Sequence, residues 1–276
     1  MIKKVNNLIK QIKIIIQINS SLKEKIDSSG KIDDYYYIKL KNGKIFIDFK
    51  SPYYLKRLHF LLNKKLKKNV SKECMNVLFD LNFRYFGKNN SVKNLKEGKY
   101  LDLKNGDIIF EVGAFIGFHA IRMNELVGIK GKVIAIEAIP ENFELLKMNI
   151  EINNIKNIIL INKAIWKDRG SLLFNIDEKQ KTSALNNIVK TKKKKTLPCD
   201  TIDNIYDELK LPKVDFIRIQ TNGAEIEALQ GMKNILTEKP KLLVAVPYKN
   251  RDEVQEMLEN YGYQTKFTGH SILAEY

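Results

Sequence analysis

The segment richest in chemistry is Glu111-Val112-Gly113-Ala114-Phe115-Ile116-Gly117. It follows an apolar, strand-like run and opens a helix-like one, so it reads as a tight strand-to-helix turn. Glycine there brings the backbone close to a ligand, because it has no Cβ. Twenty residues beyond Gly117, at the end of the next strand-like run, stands Glu137. A carboxylate in that place can accept hydrogen bonds from both hydroxyls of a ribose. The pair implies a nucleoside cofactor. A dinucleotide turn requires G-x-G-x-x-G, but here Phe115 and Phe118 occupy the second and third glycine positions. The phosphate-binding pattern G-x-x-x-x-G-K-[ST] is absent, which disfavours ATP. Glu111 sits badly beside a pyrophosphate and well beside a positive sulfonium and an α-amino group. S-adenosylmethionine is the cofactor that fits.

The elements that must position these residues alternate from Gly106 onward. Strands are expected at Asp107–Val112, Lys132–Ala138, Ile158–Ile165, Ser171–Ile176, Val214–Gln220 and Lys241–Val246. Helices are expected at Phe118–Leu126, Pro140–Asn153, Thr201–Leu209, Ala224–Leu236 and Arg251–Glu259, and residues 178–196 read as a loop. Two closing strands, Gln264–Phe267 and Ser271–Glu275, are joined at Thr268-Gly269. Alternation of this kind predicts an α/β fold with a mostly parallel, doubly wound sheet. The final strand pair places an antiparallel strand at the edge.

From about Leu101 to Val246 the sequence resembles the FkbM-type S-adenosylmethionine-dependent methyltransferases. The resemblance is carried by Lys104-Asn105-Gly106-Asp107 leading into Ile108–Ala114, and by Glu137 with Pro140-Glu141-Asn142. Asn162-Lys163-Ala164, Leu197 to Asp203, and Gly223-Ala224-Glu225 with Leu229 and Gly231 extend it. It implies a class I methyltransferase (Rossmann-like) fold, with Glu111, Gly113, Ala114, Gly117, Glu137, Asn162 and Ala164 as cofactor-binding residues. It also implies methyl transfer to an oxygen of a hydroxyl-bearing acceptor: a sugar of a glycan, a lipid-linked saccharide or a small metabolite.

The sequence departs from that family where the reaction centre is expected. The usual Lys-x-Asp-x-Glu-Gly segment reads Arg218-Ile219-Gln220-Thr221-Asn222-Gly223, and Val246-Pro247 stands where an acid is common. Amides hydrogen-bond but do not act as bases near neutral pH. In-line displacement at a sulfonium needs alignment above all, and a base only for a poorly acidic hydroxyl. Three readings follow. Gln220 and Asn222 hold the acceptor by positioning; or a base comes from Glu225, His119 or Lys163; or the chain binds the cofactor without turnover. Each candidate has a plain structural alternative: Glu225 in a helix's first turn, His119 packed, Arg218 in a buried ion pair, Trp166 in the core rather than against an adenine. No metal site is expected.

The chain has 276 residues, 48 basic and 32 acidic, for a net charge of +16. Residues 1–105 carry 24 basic and 9 acidic residues, whereas residues 106–276 are nearly neutral. Codon composition explains part of the lysine content but not this asymmetry. Residues 1–100 are expected to form a basic helical and hairpin region, and residues 101–276 the cofactor-binding domain. An amphipathic helix is expected over residues 2–18, a hairpin at Tyr35–Leu40 and Ile45–Ile47 around Asn42-Gly43, and helices over residues 52–69 and 71–82. The first of those helices carries a lysine cluster at 64–68. Such a region attracts an anionic glycan, an anionic membrane surface or a nucleic acid. An RNA-directed protein is therefore the second reading, although no known RNA-binding module is visible. Two separated cysteines, Cys74 and Cys199, point to a reducing, cytoplasmic setting, peripheral to a membrane if the basic region docks on one. The sequence leaves the oligomeric state open.

Overall fold

A computed structural model describes residues 26–32, 35–49, 102–177, 182–184, 194–221 and 223–276. The helices expected over 2–18, 52–69 and 71–82, the lysine cluster at 64–68 and Asn222 lie outside the described residues. The chain divides into two compact units, residues 1–99 with 151–154, and residues 100–150 with 155–276.

In the first unit, β1 (Ile26–Ile32), β2 (Tyr35–Leu40) and β3 (Ile45–Phe49) form an antiparallel meander in that order. The turn between β2 and β3 is a three-residue loop, 41–43, in which the Gly43 amide donates to the Leu40 carbonyl at 2.9 Å and Gly43 has φ +85° while Asn42 has no positive φ, so it is not the two-residue type I′ turn that Asn-Gly suits. Tyr36, Ile38 and Leu40 are buried while Tyr35 and Tyr37 are half-buried, which is the period-two alternation of a strand with one covered face. The added strand β1 was not legible, because Ser28-Ser29-Gly30 is poor in β-branched and aromatic residues.

The second unit is built on a sheet of seven strands. Following the chain, these are β4 (Ile108–Val112), β5 (Lys132–Ile136), β6 (Ile158–Ile161), β11 (Phe216–Ile219), β12 (Lys241–Ala245), β13 (Gln264–Thr268) and β14 (Ser271–Glu275). Their spatial order is β13-β14-β12-β11-β4-β5-β6, and the five from β12 to β6 are parallel neighbours. β14 runs antiparallel to both β12 and β13. It therefore lies second from the edge, with β13 outermost. Helices α1 (Phe118–Val127), α2 (Pro140–Ile152), α3 (Ile202–Leu209), α4 (Glu225–Gln230), α5 (Lys233–Thr237) and α6 (Arg251–Asn260) connect the strands.

All residues of β4 and of β11 are buried, as expected of parallel strands covered on both faces. Phe110, Ile134, Ile217 and Val244 from four neighbouring strands share one core. Each such side chain stabilises the fold by about 1.5–3 kcal/mol on burial.

Three expectations are corrected. The run Ile158–Ile165 is two strands: β6 ends at Ile161, and β7 (Ala164–Ile165) pairs with a different sheet. That second sheet has the order β7-β10-β8-β9, with β8 at Gly170–Asp177, β9 at Thr182–Ala184 and β10 at Lys194–Asp200. The expected loop over 178–196 thus contains β9 and the start of β10. Three exposed or half-exposed residues, Lys194, Lys195 and Thr196, hid the strand in a basic run, although Leu197 and Cys199 alternate inward around exposed Pro198. Finally, the expected helix Ala224–Leu236 is broken at Gly231. A Cβ there would stand 2.2 Å from the Trp166 carbonyl oxygen, so this glycine marks a close backbone crossing.

Candidate active site

The strand order reverses between β4 and β11. Chain segments after β4 build outward through β5 and β6, and those after β11 build the other way through β12. Open α/β sheets take their ligands at the carboxyl ends of the strands beside such a reversal. Several sequence-predicted residues meet at that end.

Gly113, Ala114 and Gly117 form the turn from β4 into α1. The amides of Gly113 and Ala114 both donate to the Ile136 carbonyl at 2.9 Å, tying the turn to the end of β5. Gly113 has φ +82° and Gly117 has φ +96°, so both need the freedom of glycine. Their close approaches are to the protein itself. A Cβ on Gly113 would sit 2.2 Å from the Gln220 carbonyl oxygen, and one on Gly117 would sit 2.7 Å from Leu146 Cδ1. A Cβ on either glycine would therefore meet the protein itself, the continuation of β11 at Gly113 and α2 at Gly117.

Glu137 follows β5 and is held from both sides. Its Oε2 accepts from the Phe115 amide at 2.9 Å, and its Oε1 accepts from the Ile139 amide at 2.9 Å and from Asn142 Nδ2 at 3.5 Å. Burial pushes its carboxyl up, against the opposing pull of these hydrogen bonds. Asn162 donates to the Glu137 carbonyl at 2.8 Å and to that of Ala138 at 3.3 Å, so it positions the loop that carries the acid. A carboxylate oxygen has room for more than one donor. Two oxygens, pinned by main-chain amides and each able to accept again, fit the vicinal hydroxyls of a ribose. Phe115, at φ +52°, and Asn142 were the parts of this grip the sequence did not assign. Phe115 stands inside the turn and Asn142 inside the Pro140-Glu141-Asn142 motif, so both were present as positions without a role.

Glu111 is the fourth residue of β4, one residue short of its end. It is fully buried on β4, and its Oε1 accepts from Arg218 Nη1 at 2.7 Å across the β4–β11 register. Its charge is therefore compensated by the protein itself. The same guanidinium donates through Nη2 to Gln220 Oε1 at 2.5 Å, so Arg218 forms a buried ion pair and is also bonded to Gln220. The Gln220 amide donates to the Val112 carbonyl at 3.0 Å.

Glu225 begins α4 and is fully buried. Its Oε1 accepts from the Gly223 amide at 2.9 Å and from Thr221 Oγ1 at 3.2 Å, which closes the loop containing position 222. Its Oε2 is buried and has no hydrogen-bond partner among the described residues. Desolvation pushes its carboxyl up from 4.5. His119 is buried on α1.

Lys163 and Ala164 directly follow Asn162 and lead into the second sheet. Ala164 belongs to β7, packed with Phe174, Leu197 and Cys199 in the second sheet's core. Lys163 donates to Asp200 at 2.8 Å. Asp200 is a buried hub that sequence reasoning passed over. It also binds Arg169 Nε at 3.1 Å, Asn204 Nδ2 at 3.0 Å and the Thr201 amide at 3.0 Å. These donors hold its carboxyl down at about 2 despite burial. Half-buried Trp166 packs against the apolar cluster of Ala164, Phe174, Leu197 and Cys199.

The strand order, the antiparallel β14 and the acid at the end of β5 define a class I methyltransferase fold. A family profile for the methyltransferase FkbM domain matches residues 111–265, more than half of the chain. The chain belongs to that family. A solved FkbM methyltransferase from Methylobacillus flagellatus superposes with a TM-score of 0.50 at 16% identity, covering 74% of this chain and 54% of that one. The hexuronic acid methyltransferase AglP of Haloferax volcanii is 24% identical over 147 residues, 52% of this chain and 58% of AglP. A protein-L-isoaspartate O-methyltransferase of Archaeoglobus fulgidus is 38% identical over 61 residues, 22% of this chain and 28% of the relative. The chain thus spans well under two thirds of the curated relatives it matches.

Among the described residues no helix is long and apolar enough to cross a membrane, and no group of three or more His, Cys, Asp or Glu could hold a metal ion.

Proposed function

We propose that this methyltransferase acts on oxygen, with a saccharide hydroxyl as the acceptor. The observation that carries the methyl-donor part of this reading is the Glu137 carboxylate, held by the Phe115 and Ile139 amides at the strand-order reversal and suited to a ribose. Bound there, S-adenosylmethionine supplies an electrophilic methyl group. The Gly113–Gly117 turn and Glu137 orient the nucleoside, Asn162 steadies the loop behind Glu137, and Gln220 stands on the acceptor side. Transfer joins the acceptor oxygen to the methyl carbon as the carbon–sulfur bond breaks and its electrons return to sulfur. The hydroxyl proton leaves to Glu225 or to water. Glu225 suits that role because burial raises its carboxyl and leaves Oε2 without a partner among the described residues. A saccharide acceptor is supported by AglP, whose name describes methylation of a hexuronic acid. The basic residues of 1–105 suit an anionic acceptor or an anionic membrane surface carrying it.

The test is transfer of labelled methyl groups to a panel of glycosides and glycan phosphates, with product stability in mild alkali as the second readout. A methyl ether survives alkali, and this is the expected product. Label released by alkali would place the methyl group on a carboxylate and overturn the hydroxyl reading. Transfer to RNA, with none to saccharides, would favour the nucleic-acid alternative.

A further inference from the structure

The Glu111–Arg218–Gln220 chain fixes which way the Gln220 amide is turned. The oxygen and nitrogen of a side-chain amide have nearly the same shape, and hydrogen-bonding neighbours decide their assignment. Here the neighbour is a guanidinium, which has only donors. Arg218 Nη2 therefore meets Gln220 Oε1, and the amide NH2 is turned away from Arg218. Gln220 is half-buried, and within the described residues its NH2 makes no hydrogen bond. Arg218 is itself fixed, because its Nη1 is bound to buried Glu111.

The place of this NH2 group matters as much as its polarity. Gln220 directly follows β11, its amide is bonded to Val112, and its carbonyl lies where a Cβ of Gly113 would be. It stands in the crevice between β11 and β4 where the strand order reverses. Arg218 cancels the charge of Glu111, so that pair places no free carboxylate beside the Gln220 NH2.

We propose that Gln220 is a specificity-determining residue whose side-chain NH2 donates to a carboxylate on the methyl acceptor, selecting acidic saccharides of the uronic acid class. The proposal rests on the methyltransferase reading above. Its logic is one of hydrogen-bond polarity. A sugar hydroxyl both donates and accepts, so it can be satisfied by an amide or by an acid at position 220. A carboxylate only accepts. It gains from the amide NH2, and it would meet like charge and no donor if position 220 were acidic. The cofactor's own amino-acid carboxylate shares this chemistry and is separated by the test.

The experiment compares wild type, Gln220→Glu and Gln220→Met. Labelled methyl transfer is measured to p-nitrophenyl β-D-glucuronide and to p-nitrophenyl β-D-glucoside. S-adenosylhomocysteine and 5′-methylthioadenosine, which lacks the amino-acid carboxylate, are titrated in parallel. The expected result is a wild-type kcat/KM at least tenfold higher for the glucuronide, with that ratio falling at least tenfold in Gln220→Glu and by a smaller factor in Gln220→Met. S-adenosylhomocysteine affinity is expected to stay within about twofold in both variants. A ratio unchanged by Gln220→Glu overturns the proposal. So does a selective loss of S-adenosylhomocysteine over 5′-methylthioadenosine, which would assign the NH2 to the cofactor. A wild-type protein that binds S-adenosylhomocysteine but methylates neither glycoside also overturns it and leaves the methyl-donor reading intact. Failure to bind S-adenosylhomocysteine at all overturns that underlying reading instead.

Discussion

Gly113→Ala separates two reasons for the first glycine of the turn: ligand clearance and internal packing. The left-handed backbone at φ +82° costs an alanine about 1–2 kcal/mol. The new Cβ would lie 2.2 Å from the Gln220 carbonyl oxygen, a main-chain atom that cannot swing aside. Overpacking of that kind adds about 1–3 kcal/mol, for about 2–5 kcal/mol in all. Two other glycines calibrate the terms. Gly106 has φ +97° with nothing within 4 Å of a built Cβ, so Gly106→Ala should show the backbone cost alone, about 1–2 kcal/mol. Gly170 has neither the positive φ nor a close neighbour, so Gly170→Ala should be neutral or gain about 0.4–1 kcal/mol through the unfolded chain. Urea unfolding followed by circular dichroism, without cofactor, should rank the losses Gly113, Gly106, Gly170. A Gly113→Ala protein no less stable than Gly106→Ala, yet unable to bind S-adenosylhomocysteine, would refute the packing argument and return this glycine to ligand clearance.

Two pH-dependent predictions come from the buried acids. Asp200 has a folded-state carboxyl at about 2, below its ordinary 3.8, so its contribution is present above about pH 4 and is lost as pH falls through about 2. Asp200→Asn should cost about 2 kcal/mol at pH 7, allowing for screening of half-exposed Arg169, and the gap to wild type should close by pH 2 in acid-unfolding curves. Glu225 is shifted the other way, above 4.5, so ionising it opposes folding as pH rises. The stability of Glu225→Gln relative to wild type should therefore increase between pH 4 and pH 8. A difference that stays flat across that range would show that burial does not raise this carboxyl.

Much of the second unit was readable because its central strands are short apolar runs separated by helices, and because Glu137 and the Gly113–Gly117 turn are local patterns. The misses have common physical causes. β10 was hidden by surface lysines on its exposed face, and the break between α4 and α5 follows from a crossing with Trp166 that no local pattern encodes. The division of Ile158–Ile165 depends on two residues, Asn162 and Lys163, serving different sheets: Asn162 bonds back to the Glu137 loop, and Lys163 reaches Asp200. At the site, the types of Glu111, Arg218 and Gln220 were legible but their connection was not. Arg218 and Gln220 alternate on one strand, whereas Glu111 lies 107 positions away from Arg218 and becomes its neighbour only through β4–β11 pairing.

The most direct test of the central claim is calorimetric titration of the folded protein with S-adenosylhomocysteine, repeated on Glu137→Ala. Losing two ribose hydrogen bonds to a carboxylate should weaken binding about a hundredfold, equivalent to about 3 kcal/mol. Circular dichroism should show the variant still folded. Saturable binding by wild type and its loss in the variant is the predicted result. Equal affinity in the two proteins, or no binding by a folded wild type, would contradict the assignment of this crevice as the cofactor site.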